Sequence, residues 1–170
     1  MQPTFSIEPN NSENSIKNLW WNVNRRLDTV LLNVSPINVQ KPKIIFLTET
    51  AMGYEIIPEI ENFKKYADQN VLQLNHGGIV AYVHKTLISH VFDVQYETCY
   101  LSFRLDFAPT FIFIGVYIQP ENSRYFSTEM FGVLSSLLIS ANEKNLTPIM
   151  GGDMNCRLGN LNEAFHGKGV

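Results

Sequence analysis

Cysteine is scarce in this 170-residue chain, which holds two, Cys99 and Cys156. Neither sits in a Cys-x-x-Cys pair, so there is no zinc signature, and two thiols make no disulfide framework. A reducing intracellular setting, nucleus or cytoplasm, is the expectation, and secretion is not. Charge is also thin. Charged residues make up 17% of the chain, with 13 Lys plus Arg against 16 Asp plus Glu and a formal net charge of −3. That balance lacks the basic footprint of an avid, sequence-independent nucleic-acid binder, although it leaves room for a local basic groove. Long apolar runs are missing: Phe111 to Ile118 is the longest, too short to span a bilayer. The polar N-terminus carries Glu8 and Glu13 and lacks the basic-then-apolar pattern of a signal peptide. No lipidation motif, internal repeat or low-complexity tract is present. A membrane partner is therefore not expected.

What is present is a globular composition. Hydrophobic residues are 45% and aromatics 12%, with eleven Phe, enough for one domain with a strand-rich core. Residues 1–15, rich in Asn, Ser, Glu and Pro, read as a disordered leader, and 16–170 as the N-terminal two-thirds of a domain. Ile16 to Val23 reads as the first strand, ending near Asn22 and Asn24. Leu27, Leu31 and Val34 follow a helical spacing that Pro36 ends. Lys43 to Thr48 holds four apolar residues in a row, the pattern of a strand buried on both faces. Residues 51–62 read as irregular, and Phe63 to Leu74 as a strand with a loop in it. Asn75-His76-Gly77-Gly78 is a turn signal, followed by an alternating strand from Ile79 to His84. Tyr100–Phe107 and Phe111–Ile118 read as a hairpin around Ala108-Pro109-Thr110. Met130, Leu134, Leu137 and Ala141 share one helical stripe, with Ser127 as N-cap and Glu129 in the first turn.

The chain is organised around Pro148-Ile149-Met150-Gly151-Gly152-Asp153-Met154-Asn155. A strand over Thr147 to Met150 ends at two glycines, and an acid and an amide follow. The stretch reads either as turn chemistry or as a buried strand that delivers Asp153 and Asn155 to a sheet rim, where ligand sites of α/β sheets lie. Glu49, directly after the run Ile44 to Leu47, reads either as another such delivery or as the first solvated residue. Asn22 also stands at a strand end, and Tyr117 ends the second hairpin strand just before Gln119-Pro120. On one shared rim Asn22, Glu49, and Asp153 with Asn155 would form an oxygen-ligand cluster suited to a hard cation.

Taken in order, Trp21-Asn22-Val23-Asn24, Lys43 to Thr50 with Glu49, Gly77 to Val83, Gly115-Val116-Tyr117-Ile118 and Gly151-Gly152-Asp153-Met154-Asn155 resemble the endonuclease/exonuclease/phosphatase superfamily. Gly115 to Phe126, with Pro120-Glu121-Asn122-Ser123, and Asp153-x-Asn155-x-Arg157-Leu158-Gly159 are most similar to the endonuclease domain of non-LTR retrotransposons. The resemblance implies an α/β fold, a two-sheet β-sandwich flanked by helices (the DNase I-like four-layer α/β/β/α sandwich), and a hydrolase of phosphodiester bonds using Mg²⁺ or Mn²⁺. DNA is the implied partner, with fusion to a reverse transcriptase in the parent element. By motif, Glu49 would be the principal metal ligand, with Asn22 beside the ion. Tyr117 would bond the scissile phosphate or the polar network around it. Asp153 would align or activate water. Asn155 would hold a phosphate oxygen or orient its neighbours.

The departures from that pattern also carry expectations. The family places a further Asp and a His, typically as Ser-Asp-His, many tens of residues beyond Gly-Asp-x-Asn. His166 is too close to Asp153 to be that His, and His76, His84 and His90 read as turn or surface histidines. The expectation is an incomplete C-terminus and a weak or inactive enzyme. The alternatives are a non-catalytic binding relic of the same fold, and a phosphatase or repair nuclease. Arg25-Arg26 replaces the usual Gly-Leu, either to touch phosphate or as the solvated start of the helix. Cys156 stands where a small residue is usual and takes no catalytic role.

Overall fold

The computed structural model describes residues 4–5, 16–27, 37, 40–69 and 76–155. Two sheets face each other. The first contains β1 (Thr4–Phe5), β2 (Asn18–Asn22), β3 (Ile44–Thr48), β4 (Phe63–Tyr66) and β5 (Ile79–His84), in the order β1-β2-β3-β5-β4. The second contains β6 (Val91–Tyr96), β7 (Tyr100–Leu105), β8 (Ala108–Tyr117) and β9 (Thr147–Asp153), in sequence order. Helix α1 (Glu129–Glu143) connects β8 to β9. Each sheet has one parallel pair, β2 with β3 and β8 with β9, and antiparallel neighbours elsewhere.

The apolar run of β3 explains the layering. All five of its residues are buried, but they serve two cores, because side chains alternate across a strand. Ile45 and Leu47 join Leu19, Val23, Leu27, Ile37, Val80 and Tyr82 on the outer face of the first sheet. Ile44 and Phe46 join Trp20, Ala81, Val83, Leu101, Phe103 and Phe113 between the sheets. A third core covers the outer face of the second sheet. There Ile112, Ile114 and Val116 meet Leu134, Leu137 and Ala141 of α1, the stripe that helical spacing predicts. The helix is capped by Thr128, without a side-chain cap bond, and not by Ser127 as expected; Ser127, one residue earlier, accepts from the Glu129 amide through Oγ at 3.2 Å.

A stack of rings fills the space between the sheets. Trp20 lies on Phe46 at 6.0 Å and 6° between planes, Phe46 on Phe103 at 5.6 Å, and Phe103 on Phe113 at 5.7 Å. Each such pair contributes about 0.5–1.5 kcal/mol beyond area burial. The Trp20 indole N–H donates to the Ile114 carbonyl at 3.2 Å, so the buried donor is satisfied across the sheets. The second sheet makes room for the rings with glycine. A Cβ on Gly151 would lie 2.5 Å from Trp20 Cδ2, and one on Gly115 would collide with the Phe46 ring. Gly115 and Gly151 are register partners in the parallel pair β8–β9.

Several sequence expectations shift here. The strand after α1 does not stop at the glycines but runs through them to Asp153: Gly151 makes room for the Trp20 ring, and Gly152, at φ 135°, lies against the Val116 backbone of β8. Nor is that strand buried at its start: Met150 is 36% exposed, since β9 is the edge of the described sheet. The hairpin loop is Asp106-Phe107, not Ala108-Pro109-Thr110, with Leu105 paired to Ala108. Pro109 fits in β8 because β9 flanks that strand only from Phe111 onward, and proline is tolerated at a sheet edge. Phe63 begins a strand that ends at Tyr66, while 70–75 lie outside the described residues. So do Leu31, Val34 and Pro36 of the expected first helix, and most of 1–15 apart from Thr4 and Phe5, which pair with β2.

The ring-on-glycine packing predicts that Gly151→Ala and Gly115→Ala each destabilise the fold by about 1–3 kcal/mol, the usual scale of overpacking. Gly132→Ala, on α1 with nothing within 4 Å of its Cβ, is the control and stabilises by up to about 1 kcal/mol. Chemical denaturation of the three variants checks this. Unchanged stability in both strand variants would refute the packing argument.

Candidate active site

The two parallel pairs bring four strand ends to one rim. Asn22 closes β2, opposite Thr48 of β3, and Glu49 follows directly. Tyr117 closes β8, opposite Asp153, which closes β9. The rim is joined across the sheets by Asn22, whose Nδ2 donates to Asp153 Oδ2. The other Asp153 oxygen, Oδ1, accepts from the Asn155 amide at 2.9 Å. Asp153 is 9% exposed, and these two donors satisfy a carboxylate that burial would otherwise penalise. Asn155 Nδ2 donates to the Ile118 carbonyl at 2.7 Å, which ties the chain after β9 to the end of β8.

Tyr117 is 3% exposed and feels both carboxylates, Glu49 and Asp153. Its hydroxyl donates to Gln119 Oε1 at 3.3 Å. Burial pushes its pKa up to about 12, with the Glu49 and Asp153 charges acting the same way and Arg25 opposing them. The phenol is thus a neutral donor held against an acidic wall.

The sequence-predicted residues Asn22, Glu49, Tyr117, Asp153 and Asn155 all lie at this rim. Among the described residues no three His, Cys, Asp or Glu gather closely enough to hold a metal ion. The rim instead offers one carboxylate at Glu49, whose side chain is 18% exposed, neighbouring amide oxygens, and Asp153. Oxygen donors of this kind fit a hard divalent cation that keeps much of its water, as Mg²⁺ does.

Three residues that the sequence did not assign to the site also belong here. Arg25 occupies a turn after β2, with its Nε 3.7 Å from Glu49 Oε1. Gln119, 7% exposed, holds the Tyr117 hydroxyl. His76 stacks flat on Tyr125 with ring centroids 3.3 Å apart, and burial, then the Arg25 and Arg124 charges, lower its pKa. Arg25 and His76 are far from Glu49 and Tyr125 in the sequence, and no local pattern reports those pairings. Gln119 lies two residues past the motif residue Tyr117, the one signal that could have marked it. His84 and His90 lie elsewhere: His84 contacts Thr86 at 2.9 Å, and His90 pairs with Asp106 at 2.7 Å.

Backbone strain concentrates at the same rim. Among the described residues nine non-glycine positions have positive φ, and five of them, Asn24, Arg25, Glu49, Ala51 and Asn155, lie here. Hydrogen bonds hold them. The Asn24 amide donates to Asn22 Oδ1 at 2.8 Å, the Arg25 amide to the Glu49 carbonyl at 2.8 Å, and the Ala51 amide to the Gly77 carbonyl at 2.8 Å.

No family model matches the chain, and no curated protein matches it. Solved structures do. A variant of the 3′ phosphatase NExo from Neisseria, bound to a product DNA hairpin, superposes with a TM-score of 0.67 at 16% identity, over 86% of this chain and 60% of that one. An AP endonuclease from Archaeoglobus fulgidus gives 0.56 at 17% identity, over 86% and 60%. TDP2 from D. rerio, complexed with a single-strand DNA product, gives 0.59 at 14% identity, over 85% and 62%. The chain thus spans about 60% of the length of these neighbours. Two mixed sheets packed face to face, with a helix on the outer face of one, are the DNase I-like α/β sandwich, and that is the fold of this chain.

Proposed function

We propose that the chain is a divalent-metal-dependent phosphodiesterase acting on DNA, an endonuclease of the kind carried by non-LTR retrotransposons. The observation that carries this reading is the convergence of Asn22, Glu49, Tyr117 and Asp153 from four strand ends of two sheets, bonded across 131 residues of sequence by Asn22 and Asp153. Two structural neighbours hold DNA products, which supports the substrate class. The retrotransposon assignment rests on the Gly115 to Phe126 and Asp153 to Gly159 patterns. It carries with it fusion to a reverse transcriptase and an intracellular, nuclear or cytoplasmic, location. No helix among the described residues is long and apolar enough to cross a membrane.

In this reading Glu49 holds Mg²⁺ or Mn²⁺, with Asn22 beside it. Bound there, the cation offsets charge on the phosphate and on the departing alkoxide. The rest is the work of the chain's own groups. Asp153, fixed by Asn22 and the Asn155 amide, orients water for attack and receives its proton. Tyr117, kept neutral, donates to a phosphate oxygen without repelling it. Asn155, bound to Ile118, orients its neighbours, the second of the two roles its motif position implies.

A second reading, metal and DNA binding without turnover, has one observation in its favour. Among the described residues no histidine pairs with an acid at the rim. The one described His–Asp ion pair, His90 with Asp106, sits at the opposite end of the second sheet.

Plasmid nicking separates the two readings. The expectation is Mg²⁺-dependent nicking that Glu49→Gln and Asp153→Asn each reduce by about 10²-fold or more. Nicking that persists undiminished in both variants sinks the catalytic assignment. So does its absence from this chain and from any longer natural form of it.

Tyr117 gives a prediction in pH. Its folded pKa, about 12, lies above its ordinary value of 10.0. The stability it contributes is therefore complete below about pH 10 and is lost as pH rises toward 12, because the unfolded chain ionises first. Denaturation at about pH 8 and about pH 11 should show Tyr117→Phe losing less stability than wild type over that interval. An equal loss in both proteins would refute the shift.

A further inference from the structure

Arg25 is placed on Glu49 by its backbone as well as its side chain. Asn24 and Arg25 both adopt left-handed φ, 47° and 60°, a tight turn held by the Asn22 Oδ1 and Glu49 carbonyl bonds. The guanidinium then reaches the Glu49 carboxylate, Nε to Oε1 3.7 Å, with the Arg25 side chain 55% exposed and that of Glu49 18%. Its charge also acts on Tyr117 and on His76. One partly exposed cation thus lies beside the carboxylate best placed to bind a metal, near the groups best placed to meet a phosphate.

We propose that Arg25 is a latch that couples metal binding to substrate binding. Without metal it pairs with Glu49. A divalent cation at Glu49 displaces it, both by taking the carboxylate and by repelling a like charge. The freed guanidinium, still anchored by its backbone at the rim, turns to a phosphate oxygen of the nucleic acid, which it matches in a forked, charge-assisted geometry. Each ligand therefore removes a cost of binding the other, and the coupling is reciprocal. The inference rests on the assignment of metal to Glu49 and goes beyond it. It concerns a residue that stands where the resembling family has a small one.

The test is Mn²⁺ binding followed by calorimetry or electron paramagnetic resonance, with and without a short DNA duplex carrying phosphorothioate linkages. In the wild type, saturating duplex should tighten Mn²⁺ binding. Arg25→Gln should tighten Mn²⁺ binding without DNA by about three- to tenfold, the gain from an unpaired carboxylate and a removed like charge. It should also reduce the enhancement by duplex. Arg25→Asn, a residue that tolerates the left-handed turn well, should do the same. Arg26→Gln removes an equal charge one residue away and should leave Mn²⁺ affinity within about twofold, since exposed charges act weakly at a distance. Unchanged affinity in both Arg25 variants, or an equal gain in Arg26→Gln, overturns the latch while leaving the metal assignment intact. Failure of the wild type to bind Mn²⁺ overturns the metal assignment and the latch together.

Discussion

The structure depends on two rings lying on two glycines. Trp20 over Gly151 and Phe46 over Gly115 set how closely the sheets approach, because a Cβ at either position would hold them apart. The consequence appears two residues further along each strand. Two residues past Trp20 is Asn22, and two past Gly151 is Asp153; these side chains bond to each other across the gap. Two past Gly115 is Tyr117, on the same inward face by the period of the strand. The rim is thus the next turn of the same pleat that packs the rings. Widening the core would separate Asn22 from Asp153 directly, so core packing and site geometry are one constraint.

The electrostatics follow from that closeness. Two carboxylates, Glu49 and Asp153, both act on one phenol, in a chain with few charges overall. An acidic wall of this kind suits a cation and opposes a polyanion. Only a few groups offset it for phosphate: the neutral Tyr117, the amides of Asn22 and Asn155, and the nearby Arg25, Arg124 and His76. The net charge of −3 is therefore no guide to this surface. Of the chain's 13 Lys and Arg, Arg25 and Arg124 act near this rim. Burial and the two arginines also keep His76 inclined to the neutral form, so it adds stacking on Tyr125 more than charge.

The layers were legible where periodicity alone decides them. The run Ile44 to Leu47 reads as a strand buried on both faces, and it is one, with odd and even residues in different cores. The stripe Leu134, Leu137, Ala141 reads as one helix face and packs as one. What local pattern hides is contact across the gap. Gly151-Gly152 has the composition of a turn, and only the Trp20 ring opposite Gly151 and the Val116 backbone against Gly152 explain why a strand carries it. Pro109 has the composition of a loop, and only the late start of β9 explains its place in β8. Arg25 has the look of a solvated helix start until Glu49, distant in sequence, arrives beside it.

The strained backbone is evidence of a different kind, independent of any resemblance. A left-handed conformation costs a non-glycine residue roughly 1–2 kcal/mol and persists only where surrounding bonds over-determine it. Asparagine tolerates it, which accounts for Asn24 and Asn155. Arg25, Glu49 and Ala51 have no such excuse, and all three sit within one loop pair fastened by backbone bonds to each other and to Gly77. A fold under selection for stability alone would place glycine or asparagine at such positions. Glu49 in particular turns its strand end sharply, so that the carboxylate faces Tyr117 and Arg25 instead of following the strand into solvent. The strain aims one side chain, the carboxylate proposed to hold the metal.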